Sequence, residues 1–243
     1  MTSPEPHRAA IYFAPDPQQA AERAWWQAGC QWLGRDAASG QVCKQVVVPG
    51  VDPRLFAELS AQPRRYGWHA TLKAPFRLAP GLNLSMLDKA VRSLAQTLSP
   101  FELPPLEVSN MGHFLALRPA QPSSSLQALA AACVTQLQPL AQGLTAEALA
   151  RRLRAALSTR QTELLQQWGY PWVLDEFRFH CSLTGDLRHA TPQQTNNIEQ
   201  AAREHFADLP PPRIGSLAIF IEPVAGANFV LHRHWPLAGS ANA

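Results

Sequence analysis

The sequence predicts an α+β fold, pseudo-duplicated, with two antiparallel sheets facing each other across a central cleft and helices on the outside. Three observations lead there. Segments with two-residue apolar alternation are interleaved with segments of helical periodicity. Two of the strand-like segments, Trp68-His69-Ala70-Thr71-Leu72 and Phe179-His180-Cys181-Ser182-Leu183, share one form: aromatic, His, any residue, hydroxyl residue, Leu, with the histidines 111 residues apart. Each is followed by a helix and then by a pair of strands, so the second half of the 243-residue chain repeats the plan of the first.

Taken in order, residues 9–13 read as the first strand, ended by Pro15 and Pro17. Residues 18–33, rich in Ala and Trp, read as a helix, and the Gly- and Pro-punctuated stretch to Pro53 contains a short expected strand at 45–48. A short helix at 54–60 precedes the first motif strand at 68–76. The helix at 85–98 carries Leu87, Val91, Leu94 and Leu98 on one stripe. Residues 106–108 and 113–117 form a hairpin around Gly112. A Ser-initiated helix at 124–140 is followed by a helical block at 145–168, broken near Ser158. The second motif strand spans 176–184, a helix 192–206 stops at Pro210-Pro211-Pro212, and a final hairpin pairs 214–222 with 228–234. The tail from 238 is expected to fray. The helical segment 141–172 has no counterpart in the first half and reads as an insertion that covers the cleft; residues 1–243 otherwise read as one domain.

Residues i and i+2 of a strand share a face. Trp68, Ala70, Leu72 and Ala74 therefore make an apolar face opposite Gly67, His69, Thr71 and Lys73. In the second copy Phe177, Phe179, Cys181 and Leu183 oppose Arg178, His180, Ser182 and Thr184. Each strand buries one side and presents an imidazole, a hydroxyl and a cation on the other. Opening a phosphodiester needs a base for water and an acid for the departing alkoxide, and histidine titrates in the range where it serves as either. Thr71 and Ser182 are placed to donate to the non-bridging oxygens of the transition state. No metal and no cofactor is required by this scheme. Lys73 and Arg178 either attract a phosphate or are ordinary solvated strand charges. Tyr12 and Phe229 are candidates to flank a sugar or base ring, although packing in the core or at an edge is the stronger account. His232-Arg233-His234 has a spacing that suits a metal, but without a carboxylate or thiolate nearby in sequence an exposed edge strand explains it better. The basic run Arg151-Arg152-Leu153-Arg154 reads as a solvated helix face.

With its two intact His-x-Thr/Ser-Leu motifs the chain resembles the two-histidine phosphoesterases, which include RNA ligase T-type enzymes and cyclic nucleotide phosphodiesterases. Ala10-Ile11-Tyr12-Phe13-Ala14-Pro15, Lys73-Ala74-Pro75-Phe76 and Trp168-Gly169-Tyr170-Pro171 with Leu174-Asp175-Glu176-Phe177-Arg178 are similar to a branch associated with phosphonate breakdown. The resemblance implies a bilobal α+β architecture, hydrolysis of a small cyclic phosphate, and His69, Thr71, His180 and Ser182 as the catalytic set. Two alternatives stay open: processing of RNA 2′,3′-cyclic phosphate or 2′–5′ ends, and a non-catalytic phosphonucleotide-binding module.

The whole chain sets bounds on these readings. A net charge of +3, from 21 basic and 18 acidic residues, is too mild for a duplex-DNA binder but suits an anionic substrate in a locally positive cleft. The 22 prolines suggest many fixed loop ends. Cys30, Cys43, Cys133 and Cys181 follow no metal or disulfide spacing and read as reduced thiols. With no signal-like N-terminus and no apolar run long enough to span a bilayer, a cytoplasmic, monomeric protein with a small phosphorylated substrate is expected, RNA being the other possible partner.

Overall fold

In a computed structural model, described here for residues 5–239, nine strands and eight α-helices alternate along the chain. The first strand, β1 (Arg8–Phe13), leads into α1 (Ala20–Leu33), α2 (Pro53–Leu59) and α3 (Ala61–Tyr66). The first motif strand is β2 (Ala70–Phe76), followed by α4 (Leu84–Gln96), β3 (Phe101–Glu102), β4 (Leu106–Asn110), β5 (Leu115–Pro119) and α5 (Ser124–Leu137). Next come α6 (Ala146–Arg152), α7 (Thr159–Trp168) and the second motif strand, β6 (Cys181–Ser182). The chain ends with α8 (Pro192–Phe206), β7 (Arg213–Ile214), β8 (Ser216–Glu222) and β9 (Val230–Pro236). Local chemistry sets the helix starts. Ser158 with Gln161 and Thr191 with Gln194 form capping boxes on α7 and α8, and Pro192 occupies the first turn of α8. The readings made for residues 1–4 and 240–243 lie outside the described residues.

Two antiparallel sheets are present, but the two motif strands, expected one in each, lie in the same sheet. The larger has seven strands in the order β4-β5-β6-β2-β1-β8-β9, and the smaller pairs β3 with β7. The motif strands are neighbours in the larger sheet, joined by a single registered pair, Ala70 with Cys181. The halves of the chain interleave. The β4–β5 hairpin of the first half pairs with β6, and the β8–β9 hairpin of the second half pairs with β1. A strand buried on one face must still satisfy backbone donors and acceptors along both edges: β6 finds both partners, β5 and β2, in the first half, while β2 pairs with β1 of its own half and with β6.

Strand β6 is also shorter than the alternation at 176–184 suggests. A 3₁₀ turn occupies Leu174–Glu176, and beyond Ser182 the Thr184 hydroxyl accepts the Leu115 N–H at 3.0 Å in place of a backbone partner. The expected strand at 45–48 does not form. Val46 donates to Gln31 O at 3.2 Å and packs on the core, with no strand edge beside it.

The two faces of the large sheet are chemically distinct. Ala9, Ile11 and Phe13 of β1 join Leu217 and Ile219 of β8, helix α4 and helix α5 in the main core. On the other face, Ala10 pairs with Phe220 and Tyr12 with Ala218, and these four pack with Trp26 and Phe229 in a smaller cluster. That second face carries the site.

Candidate active site

Each motif histidine is oriented by the carbonyl two residues before it. His69 Nδ1 lies 2.8 Å from Gly67 O, and His180 Nδ1 lies 2.8 Å from Arg178 O. A carbonyl only accepts, so both Nδ1 atoms carry the proton, which leaves Nε2 of each neutral ring as a free lone pair. Gly67 has φ +81°, and a Cβ there would meet the Ala37 side chain at 2.5 Å, so the carbonyl that orients His69 depends on a glycine.

The aromatic before each histidine is a buried anchor pointing the other way. Trp68 stacks on Phe206 at 5.3 Å and lies so close to α1 that any Cβ on Gly29 would overlap its ring. Phe179 packs on Phe13 at 5.7 Å.

The four residues carried by the motifs converge. His69, Thr71, His180 and Ser182 line one cleft of about 490 Å³. Thr71 Oγ1 is 3.4 Å from His69 Nε2. Tyr12 lines the same cleft with its ring stacked on the His69 imidazole at 3.8 Å; it is buried and it fixes the ring plane. Burial lowers the His69 pKa to about 4, with the nearby His180 adding a smaller effect against the Gly67 hydrogen bond. His180 is also held below its ordinary value, by burial first and by the Arg118 charge as well. The registered pairs Ala116–Ser182 and Leu117–Cys181 bring Arg118 opposite His180 on the cleft side of β5. Both imidazoles are therefore neutral at pH 7, and an anion bound between them would raise their proton affinity.

Three candidates stand elsewhere. Lys73 does not reach the cleft. Tyr12 pairs with Thr71 and Ile11 with Lys73, so one step on β1 spans two on β2. This bulge turns Lys73 to the face of Ile11. There its ammonium donates to Gln138 Oε1 at 2.7 Å and to Val134 O at 3.4 Å beneath α5, and burial brings its pKa down to about 8. Phe229 is fully buried, stacked on Tyr66 at 5.0 Å, and does not line the cleft. Arg178 lies over the Trp172 ring at 4.8 Å and borders an adjoining cavity of about 350 Å³, which also touches Thr71 and His180. Arg178 thus orients His180 through its carbonyl and holds its charge beside, not in, the main cleft.

Sequence reasoning passed over Arg8, Tyr66, Arg152 and Tyr170, all of which line the cleft. Arg8 had a legible signal, since it shares strand parity with Ala10 and Tyr12. The arginine read as part of a solvated helix face, Arg152, instead ends α6 with its guanidinium on Gly169 O. The carboxylates missing near His232 and His234 in sequence come from other elements: Asp88 Oδ1 lies 3.9 Å from His232 and Asp16 Oδ1 lies 3.8 Å from His234. Even so, among the described residues no group of three His, Cys, Asp or Glu side chains is arranged to hold a metal. The four cysteines are free thiols, and no described helix is long and apolar enough to cross a membrane.

Comparison with known proteins adds a family. The model of one described as "Protein of unknown function (DUF1045)" matches residues 71–230. The ribose 1,5-bisphosphate phosphokinase PhnN of Janthinobacterium sp. (strain Marseille) is 40% identical over 235 residues, covering 96% of this chain and 51% of that protein. The protein of the same name from Laribacter hongkongensis (strain HLHK9) is 37% identical over 226 residues, 93% of this chain and 51% of its own length. The chain thus spans about half the length of these curated relatives. Among solved structures, a phosphoesterase is similar at 16% identity and TM-score 0.43, covering 96% of this chain and 99% of its own. E. coli LigT complexed with ATP is similar at 15% identity and TM-score 0.43, with the same coverage.

Proposed function

We propose that this chain, which belongs to the family described as a protein of unknown function (DUF1045), is a two-histidine phosphodiesterase that opens a small cyclic phosphate carried on a ribose phosphate. The observation that carries the reading is that both motif histidines and both motif hydroxyl residues line one cleft. One neutral imidazole takes a proton from water as the water oxygen bonds to phosphorus. The other, protonated once the anionic substrate is in place, gives its proton to the sugar oxygen as the P–O bond breaks. One water enters, one ester bond is lost, and the product is a phosphate monoester. Thr71 and Ser182 donate to the non-bridging oxygens, where charge accumulates. Tyr12 holds the His69 ring in register.

The named relatives support the choice of substrate. Hydrolysis of a cyclic phosphate on a phosphorylated ribose yields a ribose bisphosphate, the kind of compound in the name of those phosphokinases. This chain has no G-x-x-x-x-G-K-[ST] loop for nucleotide phosphates, and its cleft instead presents an acid/base pair. We therefore read it as the step that supplies a ribose bisphosphate, in phosphonate metabolism, with the segment 141–172 forming a wall over the cleft through Arg152 and Tyr170. Initial rates on ribose cyclic phosphates, 2′,3′-cyclic nucleotides and cyclic-phosphate-ended oligonucleotides test this. The ribose compounds are expected to give the highest kcat/KM. Faster turnover of the oligonucleotide, with binding that weakens steeply in salt, would replace the metabolic reading by RNA end processing.

A further inference from the structure

We infer that Arg8 and Arg152 form a second anion subsite in the cleft, which takes a terminal phosphate monoester of the substrate while the histidine pair works on the cyclic phosphate. This rests on the proposed activity and names the part of the substrate that the histidines do not explain. Arg8 is held from behind: its Nε donates to Glu222 Oε2 at 2.5 Å, and Glu222, fully buried, also binds Arg65 and accepts the Gly226 N–H at 3.0 Å. Its guanidinium lies over the Phe229 ring at 5.5 Å, and its two terminal nitrogens make no hydrogen bond among the described residues. Arg152 reaches the same space from α6, anchored by one nitrogen to Gly169 O. Burial, the neighbouring Arg151 and the approach of Arg8 all pull the Arg152 guanidinium below its ordinary value. Two like charges are thus brought together over open space.

Among the described residues the carboxylates near them leave an excess of positive charge. Glu222 is shared by Arg8 and Arg65, and Asp186, the one carboxylate among the described residues that lines the cleft, is tied to Arg188 by hydrogen bonds of 2.8 and 2.9 Å. Tyr66 and Tyr170 flank the arginines with phenols that suit a phosphate or a sugar. Arg8 lies four residues from Tyr12, about 13 Å along β1 at some 3.3 Å per residue. The arginine end is therefore separate from the imidazole end that Tyr12 marks. Fork-shaped donors fixed from behind recognise phosphate by geometry as well as charge. A compact substrate with a phosphate at each end fills both places.

The test uses two probes, ribose cyclic phosphate with and without a 5-phosphate, on the unaltered protein, Arg152→Gln, Arg152→Lys and the exposed control Arg151→Gln. The unaltered protein should prefer the phosphorylated probe. Arg152→Gln should cut that preference about 10- to 100-fold, mainly through KM, as expected for one charge-assisted contact. Arg152→Lys should restore part of it, and Arg151→Gln should leave it unchanged. Calorimetric titration with ribose 5-phosphate reads the subsite without turnover, and Arg152→Gln should weaken that binding tenfold or more. If ribose 5-phosphate binds both proteins alike, or the preference survives Arg152→Gln, the subsite is refuted even where turnover is seen. If binding depends on Arg152 but neither probe is turned over, the subsite stands and the phosphodiesterase reading fails. Dependence on Arg152 for a cyclic-phosphate-ended oligonucleotide and not for the ribose probe would assign the arginines to a nucleic-acid backbone instead.

Discussion

Acid should destabilise this protein through His69 before it reaches any carboxylate. The folded-state pKa is about 4, because the ring is desolvated between Tyr12 and the cleft wall, while an unfolded histidine titrates near 6.5. Between those values the unfolded chain binds a proton that the folded chain refuses, so stability falls as pH drops from about 6.5 toward 4 and is fully present above. The whole window is worth at most about 3–4 kcal/mol at 1.36 kcal/mol per pH unit, and the step from pH 7 to pH 5 about 2. Because the ring lines an open cleft, the effect is expected nearer about 1–2 kcal/mol. Urea unfolding at pH 7, 6 and 5 measures it, with His69→Gln as the reference that cannot titrate. His180 is shifted in the same direction, so the difference between the two proteins isolates His69. Parallel pH dependence in both, or a folded-state titration of His69 by NMR near 6.5, would refute the burial argument.

Further outcomes follow from the same geometry. Thr71→Val should lower kcat about 10²-fold or more with little change in KM, since its hydroxyl acts on charge that exists only in the transition state; steady-state kinetics decides. Lys73→Met should leave KM unaltered, because the ammonium lies under α5 and not in the cleft, and thermal unfolding should show stability kept or raised. Glu222→Ala leaves the half-buried Arg8 and Arg65 without their shared carboxylate and should cost about 1–3 kcal/mol in urea unfolding, with KM rising as Arg8 loses its support. Turnover should persist in EDTA, because the scheme routes both proton transfers through imidazoles.

What the sequence made legible follows from how local each feature is. A strand's two-residue period alone places His69 beside Thr71 and His180 beside Ser182, and both pairs do line the cleft. The same period misplaced Lys73, because the bulge that reverses its face arises from pairing with β1, and no residue within β2 announces it. Phe229 followed the stronger of its two readings, into the core. The joining of both motif strands in one sheet depends on the β4–β5 and β8–β9 hairpins crossing between halves, a long-range choice with no local mark. Arg152 and Tyr170 reach the cleft from the helical segment for the same reason. Arg8 was different: it shares parity with Tyr12, but it stands one residue before the expected strand 9–13 and carries no motif around it.

The central claim is that two imidazoles act on one phosphate. Turnover of a 5-phosphorylated ribose cyclic phosphate followed by ³¹P NMR, for the unaltered protein, His69→Ala, His180→Ala and the double variant, tests it most directly. The account predicts conversion of the cyclic diester signal to a monoester signal in the unaltered protein. It also predicts losses of about 10²–10⁴-fold or greater in each single variant, with a double variant little worse than either. A single variant that keeps near-full activity, or losses that multiply in the double variant, would contradict a paired acid and base and with it the account of this cleft.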